Sequence, residues 1–226
     1  HVINKPTVVS SKKICITIVP WLGSAVPWYS IAIALILYRK GNDVLILFDD
    51  TLFGDDFLFN RVQSNLILKI LNKLPIRLTK LSNYNSTVIS SSEVEHLSKL
   101  NSLHYAHGET NHAFRQSYEK IVKKQLTSAY MKINACFEDN NFNQIIIPGG
   151  IWGTSGIYTL FSKKYKTQLT SYDSDDSEMW MSIFGIAAQL GDIPYSFDRL
   201  IENKEERNFA IQKGNEQLKK RREGRD

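Results

Sequence analysis

The chain has 226 residues, of which 42% are apolar and 23% charged, with a formal net charge of +5. That is long enough to bury an α/β core at the usual ~100–200 residues per domain, and the composition excludes a chain that is mainly disordered. The positive excess is concentrated between positions 213 and 225, where six basic residues face two acidic ones, so the body lacks the basic stripe of a nucleic-acid interface. The longest unbroken apolar run, Ile31 to Tyr38, falls far short of the ~18–20 residues of a membrane-spanning helix. Cys15 and Cys136 stand alone, as buried free thiols in a reducing, cytoplasmic compartment would.

Residues 1–12 read as a tag or disordered arm. Lys13 to Val19 is an apolar run of strand length, ended by Pro20, and the loop PWLGSAVP leads into a helix from Trp28 to Lys40. Gly41 sits at its C-terminal cap, and Asn42 to Phe48 forms the next strand, ending at Asp49 and Asp50. This is a complete βαβ unit whose two strands belong in one parallel sheet. Its loop has one glycine, Gly23, beside Ser24, and so lacks the GxGxxG dinucleotide fingerprint. Gly23 and Ser24 serve either a tight turn or ligand contact.

Helical spacing covers 57–74, and Pro75 closes it. Strands follow at Ile76 to Leu81 and at Ser86 to Ser90, and Ser92 opens a short helix with a capping box. The span HYAHGETNH then crowds His104, His107, Glu109 and His112. Three readings stand: a metal site, a general base at His107 or Glu109, and a plain polar loop. Asn111 to Glu138 is the longest helical candidate.

The stretch from Ile145 to Asp173 organises the chain: strand, the glycine loop Pro148-Gly149-Gly150-Ile151-Trp152-Gly153-Thr154-Ser155-Gly156, helix, and a second strand from Gln168 to Tyr172 ending at Asp173. Ligands of open α/β sheets bind outside the carboxyl ends of the strands. The spacing around Ser155 fails the GxSxG nucleophile elbow. Gly149, Gly150, Ser155 and Gly156 instead offer backbone N–H groups to an anion or to sugar hydroxyls, with a packing turn as the bland reading. Asp173 suits a substrate-hydroxyl acceptor or a catalytic base. With Asp175 it also forms a D-x-D triplet of the kind that holds a divalent ion, inside an acidic run that reads equally as a solvated turn. Trp21, Trp28, Trp152 and Tyr158 flank the two loops, as aromatic platforms for sugar rings or as core. Met179 to Leu190 reads as an apolar helix, and 198–226 as a charged helical extension of a domain spanning 13–197.

Two stretches carry a resemblance. KICITIVPWLGSAVPWYSIAIALILYRKGNDVLILFDD is similar to the opening of the N-terminal domain of GT-B glycosyltransferases. PGGIWGTSGIYTLFSKKYKTQLTSYDS, continuing to GIAAQLGDIP, resembles the later part of that domain in bacterial enzymes of capsular and surface polysaccharide synthesis, and NFAIQKGNEQLKKRREGRD resembles the helix before the interdomain crossing. The resemblance implies a Rossmann-like, mostly parallel open sheet with helices on both faces, one half of a GT-B fold. It implies an acceptor-binding half, inactive alone, whose glycan or lipid-linked acceptor receives a sugar from a nucleotide-sugar held by a second domain absent from this sequence. A non-catalytic Rossmann-like module binding a sugar or nucleotide is the alternative. No metal or other cofactor is implied, since such enzymes stabilise the leaving diphosphate with helix dipoles and basic groups. Asp173, His107 and Glu109 are the candidate bases, and Gly23, Ser24, Gly149, Gly150, Trp152, Ser155 and Gly156 the candidate substrate contacts. The basic tail 213–225 suits peripheral contact with the anionic inner-membrane face, or is a solvated helix end.

Overall fold

The computed structural model describes residues 12–21, 24–51, 57–85, 87, 91–106, 114–174, 179–182, 186–187 and 202–223. The chain divides into two compact units, His1–Gln189 and Leu190–Asp226. In the first, β1 (Lys13–Ile18), α1 (Val26–Arg39), β2 (Asp43–Phe48), α2 (Phe57–Leu71) and β3 (Arg77–Lys80) are followed by α3 (Ser91–Tyr105), α4 (Arg115–Asp139), β4 (Gln144–Pro148), α5 (Thr154–Lys164), β5 (Gln168–Ser174) and β6 (Met179–Ser182). In the second, α6 (Lys204–Arg222) has no buried residue, and Asn203 caps it by accepting from the amides of Glu205 and Glu206.

The six strands form one sheet in the order β3-β2-β1-β4-β5-β6, parallel throughout except for β6, which pairs antiparallel with β5. This is a Rossmann-like open sheet. Its central strands are near-continuous apolar runs because both faces are covered. Alternate residues point to opposite sides: Cys15, Leu45, Leu47, Ile145 and Ile147 pack against α3, α4 and α5, through side chains such as Leu97, Tyr130 and Phe161. Ile14, Ile16, Val44, Ile46, Ile146 and Tyr172 pack on the other side against α1 and α2, through Ile31, Ala34, Ile67 and Leu71. Ile16 lies between Ile46 and Ile146 in register and is fully buried, as are both its neighbours' strands at that level. Each such side chain contributes ~1.5–3 kcal/mol relative to exposure.

A buried polar knot ties β5 to α1. The Tyr172 hydroxyl lies 3.0 Å from the Val26 carbonyl oxygen and contacts Ser30 Oγ, while Ser30 Oγ lies 3.0 Å from the Thr17 carbonyl oxygen. Two hydroxyl protons serve three contacts, so removing one leaves an acceptor dry. Burial pushes the Tyr172 phenol well up, and it stays neutral. Tyr172→Phe is expected to cost about 1–2 kcal/mol in urea unfolding. A loss within error would mean that the hydroxyl is dispensable.

Two sequence expectations need correction. Met179–Ser182 is not the start of a helix but an antiparallel strand on the sheet edge, with Met179, Trp180 and Met181 each partly exposed. An apolar run of this length carries no period that separates helix from strand, and the open edge of β5 supplies the partner that decides it. The helix after Ser92 is not short: α3 has 15 residues and starts at Ser91. Most of the strand expected at Ser86 to Ser90 lies outside the described residues. Among the described residues, no helix is long and apolar enough to cross a membrane.

Candidate functional site

The strand order reverses between β1 and β4, so the crevice that α/β sheets use for ligands opens beyond the ends of those two strands. The loop from Gly149 to Gly153 rises from β4 at this point and feeds α5. Gly149, Gly150 and Gly153 have φ of 65°, 106° and 56°, a region costly for residues with a Cβ. Part of the loop backbone is committed internally: Gly149 N–H donates to the Tyr172 carbonyl at 2.7 Å, and Ser155 N–H to the Trp152 carbonyl at 3.1 Å. The Gly150 carbonyl accepts from Thr159 Oγ1 at 2.7 Å.

Helix α3 docks on this loop along one face, with residues spaced as i, i+4 and i+7. Leu97 approaches Gly156, where an added Cβ would stand 2.9 Å from Leu97 Cδ2. Asn101 Oδ1 accepts the Gly153 N–H at 2.8 Å and so satisfies the backbone amide of the N-cap residue of α5. The His104 ring stacks on Trp152 with centroids 4.0 Å apart and planes 18° from parallel. One face of Trp152 is therefore covered by protein. His104 is exposed, so the histidine that the structure joins to the glycine loop is His104. His107, Glu109, Gly23 and Asp175 lie outside the described residues.

From the other side the loop is held by Asp49, at the end of β2. The Asp49 carboxylate is fully buried. Its Oδ1 accepts from Thr51 N–H at 3.1 Å and from Thr51 Oγ1 at 2.7 Å, while its Oδ2 takes the hydroxyl of Thr154, the first residue of α5. Desolvation raises its pKa, opposed by the Thr154 and Thr51 bonds. In dinucleotide-binding folds a carboxylate near this place holds ribose hydroxyls. Here it is turned inward onto the chain. Asp50 holds Ser82, through its N–H at 2.8 Å and its Oγ at 2.6 Å.

The remaining candidates sort by surroundings. Among the described residues, Ser155 Oγ and the Tyr158 hydroxyl are buried with no hydrogen-bond partner. Tyr158 belongs wholly to the core rather than to a stacking platform, and burial followed by the nearby Asp49 charge pushes its phenol far up. Gly156 serves close packing, since a Cβ would meet the Ile151 carbonyl oxygen at 2.5 Å. Ser24 Oγ accepts the Val26 N–H at 3.1 Å and so closes the start of α1. Trp21 packs beside the α1 layer, and Trp28 is 39% exposed. Asp173 is half-buried, one residue before the end of β5 and opposite Trp180 of β6. It accepts the Ser174 N–H at 2.9 Å, and by alternation from Tyr172 it faces the α5 side. Among the described residues no group of three His, Cys, Asp or Glu is placed to hold a metal ion.

Sequence reading missed Asp49 and Asn101 as parts of the site, and named His104 only within the polar cluster HYAHGETNH and not as a partner of the glycine loop. Asp49 carried one usable signal, its place directly after a buried strand. Compared with protein-family models, curated proteins and solved structures, the chain matches none of them.

Proposed function

We propose that this chain is the acceptor-side half of a GT-B-type glycosyltransferase. It binds a glycan or lipid-linked acceptor that receives a sugar from a nucleotide-sugar in bacterial surface polysaccharide synthesis, and catalysis needs a donor-binding half. One observation carries this reading: the glycine loop at the sheet's switch point, with the Ser155 hydroxyl at its helix end, lies near the end of β5, where the half-buried Asp173 sits. Hydroxyl groups both donate and accept, which matches the hydroxyls of a sugar. The first βαβ loop has no dinucleotide fingerprint. Asp173 is the candidate base for the acceptor hydroxyl.

Calorimetric titration tests the reading. Surface-polysaccharide fragments are expected to bind and nucleotide-sugars not to; nucleotide binding alone would overturn it. A second reading, a non-catalytic sugar-binding module, is favoured by the position of Asp173 inside the β5–β6 ladder rather than free beyond it. Asp173→Asn separates the two. Supplied with a donor-binding half, an enzyme loses ~10²–10⁴-fold in turnover with glycan affinity kept, whereas a binding module loses affinity and has no turnover to lose.

A further inference from the structure

The positive end of α5 already faces a negative charge. A helix start draws anions through its unpaired N–H groups and aligned peptide dipoles, and many nucleotide-binding folds seat phosphate there. In this chain the carboxylate of Asp49 occupies that field, bonded to the hydroxyl of Thr154 at the first position of α5. Its other bonds come from Thr51, and the charged group beside it is Asp50, of the same sign. What α5 turns toward this corner is hydroxylic: Thr154 and the buried phenol of Tyr158, with Ser155 next in sequence.

We infer that Asp49 is a specificity-determining residue: its buried charge against the first turn of α5 turns phosphate-bearing ligands away from the glycine loop and leaves the crevice to an uncharged, hydroxyl-bearing one. The inference rests on the sugar-acceptor reading and narrows it. It also explains how a glycine loop that leads into a helix start can belong to an acceptor site rather than to a nucleotide diphosphate site. A strand, a glycine turn and a helix start are common to phosphate sites, but here a buried carboxylate stands against the first turn of the helix.

The test uses sulfate as a phosphate-like probe, titrated calorimetrically at mildly alkaline pH and low salt into the chain and into Asp49→Asn and Asp49→Ser. Removing one unit charge beside the start of α5 is expected to raise sulfate affinity about ten- to hundredfold. Either neutral replacement suffices if the other fails to give a cooperative melt. Thr154→Val breaks the bond to the helix but keeps the carboxylate, so it is expected to remain as refractory to sulfate as the unaltered chain. Equal sulfate affinity with and without the carboxylate, or a gain in Thr154→Val matching that in Asp49→Asn, overturns the inference. The acceptor reading fails separately: loss of glycan binding with the sulfate gain intact would sink that reading alone, and glycan binding without the gain would sink only the role of Asp49.

Discussion

Gly156→Ala is expected to destabilise the first unit by about 3 kcal/mol, at the upper end of overpacking costs, and to lower its melting temperature by about 6–12 °C. The added methyl would stand 2.5 Å from the Ile151 carbonyl oxygen and 2.9 Å from Leu97 Cδ2. Leu97 can change rotamer, but the carbonyl belongs to the glycine loop itself. Relief requires the start of α5 to move away from residues 150–152, and that carries Ser155 and the Asn101 clamp with it. On the proposed acceptor reading, glycan affinity should therefore fall with stability. The same substitution at Gly214 on α6 is the internal control, because nothing lies within 4 Å of its added Cβ. There the exchange removes backbone freedom from the unfolded chain and raises helix propensity, for a gain of up to about 1 kcal/mol. Differential scanning calorimetry of the two variants should show shifts of opposite sign. A melting temperature for Gly156→Ala within 2 °C of the unaltered chain would mean that the loop yields freely despite its contacts with α3 and Asp49.

The sheet was legible because its signals are local. Ile14 to Val19, Val44 to Phe48 and Ile145 to Ile147 are β-branched or aliphatic runs, cut by Pro20, Asp49 and Pro148, and each became a strand of the parallel sheet. The glycine loop was legible for the same reason, since three left-handed glycines stand where the chain turns from β4 into α5. What holds that loop was not. The bond from Thr154 to Asp49 spans 105 positions and that from Gly153 to Asn101 spans 52; Asp49 was marked only by its place after a buried strand, and Asn101 by nothing in its neighbourhood. A strand-end aspartate is by default a solvated group, and only tertiary packing shows that this one is dry. The edge strand β6 was misread because its apolar residues are partly exposed on a sheet edge instead of lining a helix face, a distinction set by β5 and not by the residues themselves.

Asp49 yields the second large effect, in which Asp49→Ala and Asp49→Asn are expected to part. Alanine strands the Thr51 N–H and the Thr51 and Thr154 hydroxyls in a buried place, at a cost of about 2 kcal/mol or more in urea unfolding near neutral pH. Asparagine keeps an acceptor for Thr51 and turns a donor toward Thr154 Oγ1, so its stability should lie within about 1 kcal/mol of the unaltered chain. The dependence on pH separates the variants further. Burial raises the Asp49 pKa in the folded state, so the native chain holds this proton to higher pH than the unfolded chain does. The stabilisation from the protonated carboxyl is fully present below the unfolded value, about 3.9, and is lost as pH rises through the higher folded value. Stability of the unaltered chain should therefore carry a component that declines with rising pH above about 4, on top of the opposite trend from groups such as Glu216, whose pKa is lowered by Lys213. Asp49→Asn has no titrating group there, so the difference in unfolding free energy between the two proteins should change in favour of the asparagine variant as pH increases. Denaturant titrations at a series of acid to neutral pH values give that difference directly. A constant difference would mean that the folded and unfolded pKa values coincide, and hence that the three hydrogen bonds fully offset the burial of the charge.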